Sequence, residues 1–196
     1  MKDDDSSTRG KRRERAPRPP TEASVRAHLQ GYLAERTTSR SHLRRLLLQR
    51  ARRSVQACAA AGLEVPDSEA LALWVDAALD HATNLRLVDD ARYAEDKARS
   101  LSRRGVSTSG IRARLAAKGV VGANADEALE SLGDRATLDL AAAQALARRR
   151  RLGPWRPADA RKEHRAKDLA VLGRAGFSYA LACRVLDTSP DDDDDG

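Results

Sequence analysis

The side chains of this chain that could do chemistry are adjacent aspartates, a few histidines and cysteines, and many arginines. Asp89 and Asp90 are neighbours, as in a paired-carboxylate site, but neighbouring aspartates at a helix start are better explained as an N-cap and a partner of the helix dipole. The four histidines and the two cysteines, Cys58 and Cys183, lack the spacing of metal ligands. The sequence has no phosphate-binding glycine loop and no nucleophile elbow. It therefore predicts no enzyme, no metal and no cofactor.

The arginines and lysines are arranged in bands along the chain. Lys and Arg total 36 against 29 Asp and Glu, which gives a formal net charge of +7. Residues 21–53 carry +6, 92–118 carry +6 and 148–187 carry +7, whereas the intervening stretches 54–91 and 119–147 carry −6 and −4. Three separate basic bands suit a partner with repeated negative charge, such as DNA phosphates or an acidic protein surface.

We expect arginines on two helices to make these contacts, because a guanidinium binds phosphate or carboxylate with two hydrogen bonds at once. Binding to phosphate would depend strongly on salt and little on sequence. Aromatic residues are only 3% of the chain, which leaves few rings to stack on bases. Taken singly, each arginine is better explained as part of a solvated helix face. The predicted contact residues are Arg40, Arg44, Arg45, Arg103, Arg104, Arg112, Arg114 and Lys118, and Arg52 and Arg53 share the polar face of the first three.

The elements that position these residues are predicted to be nine helices and no strands, an all-α fold. Apolar residues recur at helical spacing through 22–187, and no useful stretch alternates with a period of two. Ser39 or Ser41 is expected to cap the second helix, and Asn124 with Glu127 to form a capping box at the sixth. The apolar stripe expected on the seventh helix is Leu138, Ala141, Ala142, Ala145 and Leu146. The rings expected to pack between repeats are Trp74, Tyr93, Trp155, Phe177 and Tyr179, and both cysteines are expected to be buried.

The predicted helices repeat in threes. The segment SRSHLRRLLLQR at 39–50 aligns with STSGIRARLAAK at 107–118, and Gly176 in a weaker third copy aligns with Gly119. Three-helix units of this kind expose an apolar face and are stabilised by stacking on a neighbour. We therefore expect an elongated, curved array, right-handed or solenoid-like.

We divide the chain into a disordered basic arm at 1–21, repeats at 22–87, 88–133 and 134–187, and a disordered acidic tail at 188–196. Solvated ends explain the arm and the tail, although the arm could touch nucleic acid and the tail could compete with nucleic acid for a basic surface. No apolar stretch reaches the roughly 20 residues of a membrane helix, and no secretory signal is present. The expected location is the cytoplasm.

Residues 87–120 resemble the second repeat of the RecX family, bacterial regulators of the RecA recombinase. The stretch LVDDARYAEDKARSLSRRGVSTSGIRARLAAKGV has that family's Leu-x-Asp-Asp start, aromatic-Ala step, Arg-Arg-Gly turn and Ile-Arg-x-x-Leu-x-x-Lys-Gly helix. Agreement continues at 32–47 and 174–186, while extra residues at 53–65 depart from the family pattern. The structural motif residues are Asp89, Asp90, Tyr93, Gly105, Gly119, Gly176 and Phe177.

The resemblance implies a monomeric, non-enzymatic protein that binds in the groove of the RecA–single-stranded DNA filament. There it would modulate, most directly by inhibition, ATP hydrolysis and strand exchange, and so regulate DNA repair, recombination and the SOS response. Contact with single-stranded DNA itself would be weak and independent of sequence. The residues leave two other classes open: a helix-turn-helix transcription regulator, which short units with a basic helix also suit, and a helical adaptor that binds no DNA.

Overall fold

A computed structural model of the chain describes residues 16–188, and in that range the backbone forms helices and no strand. The helices are α1 (Glu22–Glu35), α2 (Arg40–Ala60), α3 (Ser68–Asn84), α4 (Asp90–Ser102), α5 (Thr108–Ala117), α6 (Ala123–Glu130), α7 (Arg135–Arg150), α8 (Ala158–Arg174) and α9 (Tyr179–Asp187), with a 3₁₀ turn at Gly153–Trp155. For the described part of the chain, the prediction of an all-α fold with nine helices is confirmed. No helix in the described range is both long and apolar enough to cross a lipid bilayer.

Within residues 16–188, most of the buried apolar side chains form three separate cores, each within three consecutive helices. Unit 1, α1–α3, is built around Leu43 and Leu79, and unit 2, α4–α6, around Ile111 and Leu115. Unit 3, α7–α9, is built around Leu172. The chain is therefore a tandem array of three-helix repeats, as predicted. The residue limits that we draw between the repeats remain a proposal, and residues 1–15 and 189–196 of the predicted arm and tail lie outside the described residues.

Most helices begin at a side chain that accepts a backbone N–H group, which satisfies one of the donors left unpaired at a helix start. Ser39, and not Ser41, caps α2. Asp89 caps α4, and Asp90 is the first helical residue. The start signals visible in the sequence therefore locate these helices to within one or two residues.

Two details of α6 and α7 differ from the prediction. The capping box at Asn124 and Glu127 is wrong, because α6 starts after Gly122, whose φ of +63° turns the chain into the helix earlier and without a side-chain cap. The stripe predicted on α7 is also wrong in part, since Ala141 and Ala145 are exposed. Alanines on several sides of a helix leave its buried face undetermined by sequence. The residues that α7 buries are Ala142, Ala143, Leu146 and Ala147.

Three of the five aromatic side chains predicted to pack between repeats lie in or against the core of one unit. Phe177 is buried in the core of unit 3, and Trp155 is half-buried against that core. Tyr93 packs in the same way on the core of unit 2. Trp74 is half-buried on α3, and Tyr179 is 72% exposed. Tyr93 also lies near Tyr32 of unit 1, so of these rings it is the one for which contact between units is indicated.

The extra residues at 53–65 lengthen α2 to 21 residues. Cys58 on this extension is buried, as predicted, whereas Cys183 on α9 is only half-buried. The described end of the arm lies along α2, because the Ser54 hydroxyl donates a hydrogen bond to the Arg18 carbonyl at 2.9 Å. Pro20 is buried there, so unit 1 includes the residues directly before α1.

Candidate functional site

Polar contacts between the start of α2 and the end of α5 join unit 1 to unit 2. The Ser39 hydroxyl accepts a hydrogen bond from the His42 N–H at 3.3 Å and donates one to the Lys118 carbonyl. The Arg40 N–H donates to a carboxylate oxygen of Asp90 on α4 at 2.7 Å. The Ser39 hydroxyl and the Asp90 carboxylate therefore satisfy N–H groups at the start of α2, and the same hydroxyl satisfies a carbonyl at the end of α5. We call this set of contacts junction 1–2.

The same arrangement joins unit 2 to unit 3, and we call it junction 2–3. The Ser107 hydroxyl accepts from the Gly110 N–H at 3.1 Å and donates to the Ala175 carbonyl at 2.8 Å. The N–H and hydroxyl of Thr108 donate to the two carboxylate oxygens of Asp139 at 2.7 and 2.8 Å. A capping serine, the residue after it and an aspartate on the next unit thus recur at both junctions.

Glycines let the helix ends approach closely at both junctions. Gly119 after α5 has a φ of +77° and Gly176 after α8 a φ of +90°, values that glycine adopts without strain. A Cβ atom on Gly119 would lie 2.2 Å from the Ser41 hydroxyl oxygen. A Cβ atom on Gly176 would lie 2.7 Å from the hydroxyl oxygens of Ser107 and Ser109. The two glycines matched between repeats therefore end their helices and also make room for the preceding unit.

Both junctions connect the middle helices of the units. The start of α2 meets the end of α5, and the start of α5 meets the end of α8. These helices have 21, 10 and 17 residues, which amounts to about 70 Å of helix at 1.5 Å per residue. We call this head-to-tail row the middle-helix track. Its exposed basic residues are Arg45, Arg50, Arg52, Arg53, Arg112, Arg114, Lys162, Lys167 and Arg174.

Two of the predicted contact residues pair with acids on the third helix of unit 1. Arg40 pairs with Asp80, and Arg44 binds both oxygens of Asp76 at 2.6 and 2.8 Å. The hydrogen bond from Arg44 lowers the pKa of Asp76, so this carboxylate stays ionised at neutral pH. Both pairs remain partly open to solvent, where an ion pair contributes about 0–1 kcal/mol. A negatively charged partner could therefore recruit these arginines at little cost.

Arg45 and Lys118 contact His42 at junction 1–2. Lys118 Nζ lies 3.0 Å from His42 Nε2, and an Arg45 guanidinium nitrogen lies 3.3 Å from His42 Nδ1. Burial lowers the pKa of His42, and the charges of Lys118 and Arg45 lower it further. The ring is therefore neutral at pH 7 and can accept a hydrogen bond from one of them. Arg45 also donates to the Ala117 carbonyl at 2.9 Å, so these two basic residues help to hold the junction.

The other four predicted contact residues differ in how available they are. Arg112 on α5 pairs with Asp126 on α6. Arg103, Arg104 and Arg114 are exposed and form no ion pair within residues 16–188. Of these three, only Arg114 lies on the middle-helix track, since the other two follow α4 directly. The structure thus places Arg112 and Arg114 on the middle-helix track and leaves Arg103 and Arg104 outside it.

The predicted motif residues of unit 2 have separate structural roles. Asp89 accepts from the Arg92 N–H at 3.0 Å. Tyr93 is half-buried, and this burial raises the pKa of its hydroxyl. Gly105 has a φ of +69° in the turn that leads to α5. Asp90 accepts a hydrogen bond from Arg40 of unit 1 and so joins two units. Its position next to Asp89 in the sequence does not reveal this role.

Sequence reasoning missed two aspartates with long-range partners. Asp139 of junction 2–3 lies inside α7, where a carboxylate usually faces solvent. Asp168 on α8 is 1% exposed and accepts from the Gly153 N–H at 3.0 Å and from Arg156 at 2.8 Å. A signal for Asp168 existed, because it lies four residues before buried Leu172 and so on the same helix face. The described residues include no group of three His, Cys, Asp or Glu side chains that could hold a metal ion.

Comparison with known proteins shows relatives over nearly the whole chain. Residues 89–129 match the family model of the second three-helix domain of RecX. The chain is 37% identical over 188 residues to the "Regulatory protein RecX" of Myxococcus xanthus, covering 92% of this chain and 95% of that protein. It is 29% identical over 163 residues to the "Regulatory protein RecX" of Agrobacterium fabrum, covering 83% and 82%.

A solved structure shares the fold. A crystal structure of regulatory protein RecX superposes with a TM-score of 0.60 at 21% sequence identity, covering 85% of this chain and 72% of that one. The range matched by the family model contains the unit 2 residues of both junctions, among them Asp90, Ser107 and Gly119. The junction contacts therefore lie in the segment that carries the likeness.

Proposed function

The chain belongs to the RecX family, and on that premise we propose that it regulates a RecA recombinase by binding the filament that the recombinase forms on single-stranded DNA. Bound there as a monomer in the cytoplasm, it inhibits ATP hydrolysis and strand exchange and needs no catalytic group of its own. The observation that carries this proposal is the middle-helix track, in which two junctions of the same design place three basic helices in one row.

A row of basic helices suits a nucleoprotein filament, because such a filament presents phosphates and acidic protein surface at repeated intervals. The track contains about 70 Å of helix in three segments, and its basic residues recur along it as the negative charges recur along such a partner. Arg52 and Arg114 on the track are exposed and meet the partner directly. Arg40, Arg44 and Arg112 meet it by exchanging their intramolecular carboxylates for those of the partner, and weak exposed pairs permit that exchange.

Co-sedimentation with RecA filaments and their ATPase rate test this proposal. We expect R52Q/R114Q to weaken filament binding about tenfold and to reduce the slope of log Kd against log salt concentration by about two, because two phosphate-type contacts are lost. The matched control R26Q/R92Q removes the same charge from α1 and α4, outside the track, and should change neither quantity.

Two results would contradict the proposal. If the wild-type chain neither sediments with filaments nor slows their ATPase at moderate salt, the regulatory function is wrong. If both double variants lose binding equally, net charge and not the track decides binding. Strong preference for one duplex sequence that survives high salt would instead favour a helix-turn-helix transcription regulator.

A further inference from the structure

We propose that the acidic C-terminal segment of the chain, residues 189–196, docks on the arginines at the end of α7 and competes there with polyanionic partners. We call Arg149, Arg150 and Arg151 the α7 cluster. The occupant is the chain's own tail, and this inference does not depend on the recombinase. It rests on the charge of the cluster, on the place where the tail leaves the fold and on a pattern of ion pairs common to the three units.

The α7 cluster is a concentrated and uncompensated positive charge. All three arginines are exposed, and within residues 16–188 none of them forms an ion pair. Arg151 ends α7 with a left-handed backbone, φ +53° and ψ +52°, which is uncommon for a residue other than glycine. The run therefore remains at the surface as a site for an anion with several charges.

The tail leaves the fold beside this cluster. A Cβ atom on Gly153 would lie 2.9 Å from the Leu186 Cα and 3.1 Å from the Leu186 carbonyl oxygen. Gly153 comes two residues after Arg151, and Leu186 comes two residues before Thr188, where the described residues end. Since an extended residue spans at most about 3.6 Å, the eight residues from 189 to 196 can reach about 28 Å. The α7 cluster lies well within that reach.

The acids that pair with each middle helix come from the third helix of the same unit. In unit 1, Asp76 of α3 pairs with Arg44, and in unit 2, Asp126 of α6 pairs with Arg112. In unit 3, Asp187 at the end of α9 binds Arg165 of α8 through two nitrogens, at 2.8 and 3.2 Å. The third unit carries the largest basic surplus, +7 over 148–187, and five further aspartates follow at 191–195. The aspartates of the tail therefore follow Asp187 as further acidic partners for the basic surface of unit 3.

Docking of the tail has a consequence for partners. A tether this short gives the aspartates an effective concentration in the millimolar range at the cluster, and arginine binds carboxylates with two hydrogen bonds. A polyanion that needs the same arginines must displace the tail, so its apparent affinity is its intrinsic affinity multiplied by the fraction of molecules in which the cluster is open. Docking of the tail therefore lowers the affinity of the basic surface of unit 3 for polyanions, and added salt weakens this effect.

A spin label at the end of the tail tests docking in the full-length chain. C183S/G196C places the reactive thiol at residue 196, because Cys58 is buried. We expect the label to broaden the backbone amide signals of residues 149–153 at about 50 mM NaCl and not at about 1 M, where charges are screened within about 3 Å. The matched control replaces all five aspartates at 191–195 by asparagine and should show no broadening. Equal signals in the two chains would overturn the proposal.

A labelled oligothymidylate of about 20 nucleotides tests competition through fluorescence anisotropy. Deleting 189–196 should tighten binding about fivefold at low salt. In the background R149Q/R150Q/R151Q the same deletion should change binding less than about 1.5-fold, because coupled groups do not add. An equal gain in both backgrounds, or no binding by any variant, would overturn the competitive role. Neither experiment contains the recombinase, so failure here is distinguishable from failure of the proposed regulation.

Discussion

At the scale of single residues, two serines each serve a helix start and a contact between units. The hydroxyls of Ser39 and Ser107 accept a backbone N–H of their own helix and donate to a carbonyl of the next unit. A hydroxyl can do both because it has one proton and two lone pairs. An aspartate would cap the helix equally well but has no proton to donate at neutral pH. The junction therefore explains why serine stands at both positions.

The glycine at junction 1–2 gives a prediction with a close control. Gly119 and Gly62 both follow a helix, with φ of +77° and +72°, but a Cβ atom would meet Ser41 only at Gly119. We expect G62A to cost about 1 kcal/mol of unfolding free energy from the left-handed backbone alone. G119A should cost about 2 kcal/mol more, because the added methyl group overpacks the junction. Urea unfolding of the two variants measures the difference.

The double variant S41G/G119A separates strain from contact. Removing the Ser41 side chain should restore most of the difference between G119A and G62A, since the atoms that meet the new Cβ are the Oγ and Cβ of Ser41. Equal costs of G119A and G62A in the wild-type background would show that the close approach does not matter.

At the scale of elements, a buried carboxylate holds the 3₁₀ turn on α8. The side chain of Asp168 is 2% exposed and that of its partner Arg156 is 23% exposed. Asp187 binds Arg165 on the same helix with similar geometry, but these side chains are 55% and 42% exposed. The two pairs therefore differ mainly in burial.

This difference predicts unequal effects of two similar substitutions. R156Q leaves Asp168 buried with its charge uncompensated and should cost about 3 kcal/mol of unfolding free energy. R165Q breaks an exposed pair and should cost less than about 1 kcal/mol. Thermal and urea unfolding provide the measurement. A loss in R156Q as small as that expected in R165Q would mean that water reaches Asp168 and that this pair does not hold the turn.

The sequence was sufficient to predict the number and type of the elements, because helical periodicity and capping side chains recur along the chain. It was not sufficient for the face of α7, where alanines such as Ala141 and Ala143 are alike in volume. It also revealed that Ser39 matches Ser107 and that Gly119 matches Gly176. That match shows equivalent positions, but it does not show that Gly119 of one unit meets the serines of the unit before it. Such pairings depend on how units stack, which no local pattern contains.

At the scale of the whole molecule, the alternating charge has a cause inside each unit. The basic middle helices pair with aspartates on the third helices, as Arg44 does with Asp76 and Arg112 with Asp126. Part of the charge pattern from which we predicted an external polyanion therefore arises because basic and acidic residues of the same unit neutralise each other. What a partner meets without displacing an intramolecular carboxylate is the surplus on the middle-helix track and on the α7 cluster. This directly available part of the interface is smaller than the three bands suggested.

Three separate cores joined by polar contacts also determine how the molecule should unfold. Each unit has its own apolar interior, and the junctions add hydrogen bonds of about 1 kcal/mol each. In a linear array of this kind stability is approximately a sum of unit and junction contributions. Loosening the junctions should therefore uncouple the units before it unfolds any of them.

The double variant D90A/D139A tests this coupling, since each aspartate accepts hydrogen bonds from the preceding unit. We expect the urea transition to broaden, with a lower m-value as the units unfold separately, and hydrogen exchange to show a distinct opening free energy for each unit. The matched control D96A/D126A removes two aspartates that pair within unit 2 and should keep one transition. Inhibition of the filament ATPase should fall in D90A/D139A alone, because the track is no longer held in a row. A single unchanged transition in both variants would mean that the backbone connections, and not the junctions, couple the units.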